Sequence, residues 1–166
     1  MPESGPEGSA PREQRRGRAI AMTPEEVDDF LGSERTCRVA TVGADGTPHV
    51  APLWFVWHGG CLWLSSLVRS QRWTDAGRDP RVAVVVDAGT LYWELRGVEI
   101  TGRAEVVGDV PRTGEPHMVL AEVELLMARK YRGSDEFTPD GRHGWLQIRP
   151  QKIVSWDFRK NPALRR

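Results

Sequence analysis

Apolar residues recur at two spacings along this chain, and the change from one to the other marks its elements. In "MTPEEVDDFLGS" they fall at Val27, Phe30 and Leu31, the stripe of a short amphipathic helix. Thr23 is placed to cap it, with Pro24 at its first position, Glu26 completing a capping box and Gly32 placed to end it. From "CRVATV" (37–42) onward the spacing shortens to that of strands. Asp45-Gly46 marks the first hairpin turn, and His58-Gly59-Gly60 the second. "RVAVVVDA" (81–88) reads as a buried strand, "YWELRGVEITGRAEVVGDV" as one long strand or a bent pair with Gly97 and Gly102 as bend points. "HGWLQIRPQKIVSWDF" reads as two strands around Pro150. A short helix fits "VRSQRWTDAGRDP", closing at Pro80, and a longer one fits "EPHMVLAEVELLMARKYRG", with Val119, Val123, Leu126 and Met127 as its core residues.

The second hairpin breaks the usual alternation of a half-buried strand. In "HVAPLWFVW" Leu53, Phe55 and Trp57 point one way, while Trp54 and Val56 point the other. Across the turn, Leu62 and Leu64 oppose Cys61 and Trp63, so both faces are apolar. One set can fill a core. The other needs a second apolar surface: a bound planar ligand, another subunit, or a covering helix of the same chain. The pattern favours the first two, because three of the seven tryptophans lie here. Pro52, which cannot donate to a ladder, places its strand at an edge or a bulge.

Six or seven strands joined mostly by hairpins, with two helices and one short helix, predict a mainly β fold with peripheral helices. An antiparallel barrel suits that order better than a doubly wound sheet. Residues 1–20, rich in Pro, Gly, Glu and Arg without an apolar period, are expected to be a disordered tail. Residues 21–160 form the domain, and 161–166 a C-terminal tail.

Acidic and basic residues balance at 23 each, so no global field favours nucleic acid or an anionic membrane. No apolar run is long enough to span a bilayer, and no apolar segment follows the N-terminal arginines as in a signal peptide. A cytoplasmic protein is expected. Cys37 and Cys61 fall within strands without metal-ligand spacing and read as buried reduced thiols.

Where the second hairpin ends, "SSLVRSQR" places Ser65, Ser66, Arg69, Ser70, Gln71 and Arg72 between a strand and a helix start. Hydroxyls, helix N–H groups and guanidinium forks suit a phosphate, although a solvated turn fits this segment taken alone. Arg78 and Arg81, flanking Asp79-Pro80, read as solvated. His49, His58, His117 and His143 lack metal-ligand spacing. Of these, His49 and His58, in and beside the Trp hairpin, are the candidates for a haem contact or a proton donor. No catalytic triad or carboxylate pair is legible.

The segments "CRVATVGADGTPHVAPLWFVWHGGCLWLSS", "RSQRWTDAGRDPRVAVVVD", "GVEITGRAEVV" and the late "IVSWDFRK" (153–160) appear in a specific order. Over residues 24–160 the chain resembles the flavin- and deazaflavin-binding split barrels related to pyridoxamine 5′-phosphate oxidase. That resemblance implies a six-stranded antiparallel split barrel, a homodimer, and a cofactor lying in a groove between subunits. The cofactor implied is the deazaflavin coenzyme F-420 or FMN, with haem in some branches. The backbone at Leu53, Trp54 and Phe55 would edge the ring. Ser65, Ser66, Arg69, Gln71 and Arg72 would hold the ribityl-phosphate end, with Trp156 contributed by the other subunit. A flavin- or deazaflavin-dependent oxidoreductase acting on a small organic substrate is the activity implied. Pyridoxamine phosphate oxidation itself is not expected, since no counterpart of that enzyme's basic C-terminal region is found. Lysine is confined to Lys130, Lys152 and Lys160 while arginine is abundant, a GC-rich coding bias that accords with the deazaflavin branch. A non-catalytic flavin-binding barrel is one alternative. An oligonucleotide-binding barrel is another, disfavoured by the absence of a basic stripe beside the aromatics.

Overall fold

Among the described residues, a single antiparallel sheet of seven strands curls on itself in the order β2-β1-β5-β6-β7-β4-β3. The strands are β1 (Cys37–Val42), β2 (Pro48–Leu53), β3 (Phe55–His58), β4 (Cys61–Leu67), β5 (Arg81–Ala88), β6 (Arg96–Val107) and β7 (His143–Asp157). The helices are α1 (Pro24–Ser33), α2 (Gln71–Arg78) and α3 (Met118–Arg132). The computed structural model describes residues 10–165.

β2 and β3 stand at opposite ends of the strand order, yet only Trp54 separates them in sequence. They are one strand in two pieces: the first half pairs with β1 and the second with β4. Counted that way, the seven strands are the six of a split barrel. Pro52 accordingly sits on an edge strand, opposite Arg38. Between His58 and Cys61, Gly59 (φ 60°) and Gly60 (φ 69°) supply the two left-handed residues of a tight turn.

The inner face of the sheet packs one core from Val39, Phe55, Leu62, Leu64, Val84, Val98, Ile100 and Ile148, closed by Phe30 and Leu31 of α1. Each fully buried side chain of this kind contributes roughly 1.5–3 kcal/mol. The Thr23 capping box forms as expected, with Thr23 Oγ1 accepting from Glu26 N–H and Glu26 Oε2 from Thr23 N–H. The helix runs through Gly32 to Ser33, whose hydroxyl donates to Phe30 O.

The second apolar face of the Trp hairpin is covered by α3 of the same chain. Val56, Cys61, Trp63 and Trp145 pack against Leu120, Val123 and Met127. This corrects the sequence reading, which favours a ligand or a subunit there. A strand pattern shows that a face needs a cover, but not that a helix more than fifty residues later will supply it. The heptad phase of α3 is also offset from the expectation: Val119 is exposed, while Leu120 and Ala128 are buried beside Val123 and Met127.

β7 is continuous through Pro150, where two strands are expected. It bends instead at a bulge, the register passing from Thr101↔Lys152 to Gly102↔Pro150. A Cβ at Gly102 would lie 2.2 Å from Arg149 O, so glycine is what permits this close approach. Of the expected N-terminal tail, residues 1–9 lie outside the described residues. Residues 12–20 follow the second half of β7: Arg12 N–H donates to Gln151 O, and the Gln14 amide exchanges two hydrogen bonds with the Ser155 backbone. At the other end, Pro162–Arg165 form a 3-10 turn. Both cysteines are free and buried, on opposite faces of the sheet. Burial pushes the Cys37 thiol up to about 12.

Candidate functional site

The break at Trp54 leaves backbone groups that the ladder would otherwise satisfy, and α3 supplies the substitute. Phe55 N–H donates to Tyr131 Oη at 3.0 Å. The single Tyr131 hydroxyl proton serves either Arg35 O (2.7 Å) or Phe55 O (2.9 Å). Burial raises the Tyr131 phenol to about 12, so the proton stays in place. Trp54, 53% exposed, stacks on the Tyr131 ring with centroids 4.3 Å apart and planes 11° from parallel.

On one side of Trp54 runs an open groove of about 400 Å³, lined by Thr36, Pro52, Leu53, Trp54, Ser65 and His143. On the other is a narrower cleft of about 180 Å³ between the end of α3 and the 137–145 segment, sharing Trp54, Ser65 and His143. Three residues thus line both spaces.

Arg72, at the start of α2 and not among the residues lining the groove, is only 8% exposed. Its Nε–H donates to the fully buried Ser66 Oγ at 3.1 Å. Among the described residues no carboxylate lies within salt-bridge distance of it, and neither Nη group has a hydrogen-bond partner. Burial lowers its pKa, yet a guanidinium stays charged in proteins, so this is a largely buried cation held by one hydroxyl. Arg72 and Ser66 together offer donors chemically suited to a phosphate, whereas the side chain of Ser65, the next residue along β4, is on the other face of the sheet and lines the groove.

The other expected residues divide. Leu53 and Ser65 line the groove. Phe55 is fully buried in the core, so only its backbone reaches the split. Arg69 is exposed on the turn before α2. Gln71 turns away: its amide donates to Asp75 Oδ1 at 2.8 Å, and Asp75 also accepts from Thr41 Oγ1 and Arg78. Arg72, expected outside the core, belongs to it. Arg78, expected to be solvated, pins α2 to the sheet through Asp75 and the Val42 carbonyl. Arg81 is 69% exposed, paired with neighbouring Asp79. Trp156 lies opposite Gly97, eleven residues along β7 from Trp145, which pairs with Ser65. It does not line the groove of its own chain.

Among the histidines, the one at the groove is His143, where His49 and His58 are expected. His58 sits at the hairpin turn, 3.5 Å from Glu122 Oε2, and His117 caps α3. His143 Nδ1 lies 2.7 Å from Asp140 Oδ2. Burial alone would raise the Asp140 carboxyl, but hydrogen bonds from Arg142 N–H and from His143 hold it down at about 2. An ionised carboxylate only accepts, so Nδ1 carries the proton and Nε2 is left for the groove. The D-x-x-H spacing of Asp140 and His143 is the local signal that sequence reasoning passed over.

Arg112 also escaped notice. It is 4% exposed and donates to Glu124 (2.6 and 3.2 Å), Asp109 (2.5 Å) and Glu115 O (2.7 Å). Glu124 in turn accepts from Trp145 Nε1 at 3.1 Å. This network ties the loop before α3 to the helix and to β7, forming the rear of the cleft. Among the described residues, no group of three His, Cys, Asp or Glu is arranged to hold a metal ion, and no helix is long and apolar enough to cross a membrane.

Residues 23–157 match the family model described as pyridoxamine 5′-phosphate oxidase. A conserved hypothetical protein from Mycobacterium tuberculosis is similar in structure, with a TM-score of 0.74 and 31% identity over 90% of this chain and 92% of that one. An F-420 reductase gives a TM-score of 0.60 and 25% identity, covering 79% of this chain and 98% of its own. An FAD-binding protein from Mycobacterium smegmatis shares the fold, with a TM-score of 0.59 and 23% identity over 82% of this chain and 95% of that one. Among curated proteins, none matches the chain in sequence.

Proposed function

Because the chain belongs to the pyridoxamine 5′-phosphate oxidase family, we propose that it is an oxidoreductase built around a flavin-type cofactor, the deazaflavin coenzyme F-420 in preference to FMN. It moves a hydride or an electron pair between that cofactor and a small organic substrate. The observation that carries this reading is Arg72, a largely buried cation that, among the described residues, bonds only Ser66 Oγ and faces no carboxylate. A buried guanidinium without a counter-ion is unfavourable unless an anion completes it. The similarity to an F-420 reductase and the arginine-rich, lysine-poor composition favour the deazaflavin.

In this reading Arg72 and Ser66 hold the phosphate, the exposed Arg69 adds a second cation, and Ser65 lines the groove that takes the ring. The backbone from Leu53 to Phe55 edges the ring, and Trp54, braced by Tyr131, walls it from the cleft. The bound ring would supply the two-electron chemistry; the protein orients it and excludes water. The chain acts as a homodimer, with Trp156 of a second copy completing the site. Exposed Val50 (66%), Val106 (45%) and Met118 (93%) are apolar side chains that such a partner would cover. A cytoplasmic setting suits two reduced thiols.

The test is the absorption spectrum of the protein purified from a host that makes both flavin and deazaflavin, followed by titration of the apoprotein with each. A deazaflavin band with tight titration is the expected result. A flavin spectrum would reverse the cofactor preference, and a Soret band would place the chain with haem binders. Binding of none of them, or tight binding of single-stranded DNA instead, would overturn the oxidoreductase reading.

A further inference from the structure

The groove beneath Trp54 is not the only space at the split. The adjoining cleft is walled by Trp54, Tyr131, Phe137 and Trp145, four aromatic rings around about 180 Å³. For scale, an apolar cavity of about 150 Å³ accepts a benzene ring. Its polar groups are few. Arg112 at the rear is neutralised by Asp109 and Glu124, with four hydrogen bonds already made. Arg132 is exposed at the mouth. That leaves the hydroxyls of Ser65 and Thr138 and the paired Asp140 and His143, of which Ser65 and His143 also line the groove. A small, mostly aromatic space with a few polar groups has the make-up of a small-molecule site.

We propose that this cleft is the substrate pocket, that it takes a small neutral ring compound carrying a hydroxyl or carbonyl group, and that His143, oriented by Asp140, exchanges the proton of that group. The proposal rests on the cofactor reading above for its redox partner, and on the geometry of the cleft for everything else. With Nδ1–H engaged by the Asp140 carboxylate, Nε2 accepts from a hydroxyl when the ring is neutral and donates to a carbonyl when it is protonated. In reduction, the bound cofactor would supply a hydride to the carbonyl carbon. The C=O π pair moves to oxygen, and the imidazolium gives that oxygen its proton, to be replaced from solvent. Oxidation of the alcohol is the reverse. The charge of Asp140 stays constant throughout, so it is a positioning residue.

The experiment uses two ring compounds of nearly equal shape, 4-fluorophenol and 4-fluorotoluene, titrated by fluorine NMR at pH 8 into the full chain without added cofactor. The measured quantity is the ratio of their affinities in the parent and in His143→Leu. Loss of one hydrogen bond should lower the phenol-to-toluene ratio by about 2- to 12-fold. The toluene affinity should stay within a factor of two. Carbethoxylation of His143, followed by mass spectrometry, should be slowed by 4-fluorophenol. A ratio unchanged by His143→Leu, or no saturable binding of either compound, overturns the inference. These outcomes separate it from the cofactor reading: a chain that titrates with deazaflavin while its cleft ignores both probes sinks the pocket alone. A chain that binds the probes through His143 but no flavin or deazaflavin sinks the redox assignment alone.

Discussion

Arg72→Met should weaken cofactor binding without weakening the fold. Methionine keeps the length and apolar stem of the side chain but removes its charge and fork of donors. In the cofactor complex, a charge-assisted hydrogen bond contributes about 1.5–3 kcal/mol. Its loss therefore lowers affinity roughly ten- to a hundred-fold or somewhat more. In the free protein the balance differs. The guanidinium makes one hydrogen bond, to Ser66 Oγ, and among the described residues faces no carboxylate. Burial of an ion carries a penalty of several kcal/mol, comparable to or larger than one such bond. Ser66 retains Ser70 Oγ at 3.5 Å. The unliganded variant should consequently melt at or above the parent's temperature. Arg69→Ala, removing an exposed cation, should cost less affinity and should lose its effect as salt rises, whereas the Arg72 effect persists. Arg81→Ala is the control, because Arg81 pairs only with adjacent Asp79; Arg78 cannot serve, since it holds α2 to the sheet. The assay is a cofactor titration and a melting curve for each variant. Parent-like binding by Arg72→Met would refute the phosphate assignment. A large fall in its unliganded melting temperature would show that Arg72 is a structural cation after all.

Tyr131→Phe leaves the Phe55 N–H without its acceptor at the split and should destabilise by about 1–3 kcal/mol, read by urea unfolding. Arg112→Leu strands the Glu124 and Asp109 carboxylates at the rear of the cleft, and a loss of about 3–5 kcal/mol is expected by the same measurement. Lys130 is desolvated against Phe55 and its pKa falls to about 8, below the usual 10.5. The unfolded chain therefore binds more protons between those values, so this group adds stability as pH rises from about 8 to 10.5. The parent should gain stability relative to Lys130→Met across that window; a constant difference would contradict it. Light scattering at micromolar concentration should give a dimer, and a clean monomer would remove the shared groove.

What could be read from sequence was what short-range physics dictates. The Thr23 box, the Gly59-Gly60 turn and the edge placement of Pro52 depend on a few adjacent residues, and each formed as expected. Of the expected site residues, Leu53, Trp54 and Ser65 meet at one groove, because the strand that carries the first two pairs with β4, which carries the third. The remainder depended on contacts without local signature. Tyr131 meets Phe55 from 76 residues away, and Glu124 finds Arg112 only because α3 docks across the hairpin. Arg72 shows a different limit: a basic residue at a helix start looks solvated until the sheet beneath it is in place. Only the Asp140–His143 pair could have been found by spacing alone.

The interruption at Trp54 also conserves parity. Leu53 and Phe55 both belong to the inner core, and Val56 belongs to the face under α3, so the alternation of sides passes through the gap uninterrupted. Side chains change face with every residue of a strand. The face of Phe55 is set by its pairing with Leu64 and by the Gly59-Gly60 turn, neither of which lies at the gap. A residue inserted at Trp54 would therefore be taken up there as a bulge, lengthening the bridge between the sheet's ends while both cores keep their side chains. The rim of the groove can be remodelled at the gap without inverting the hairpin on which it stands.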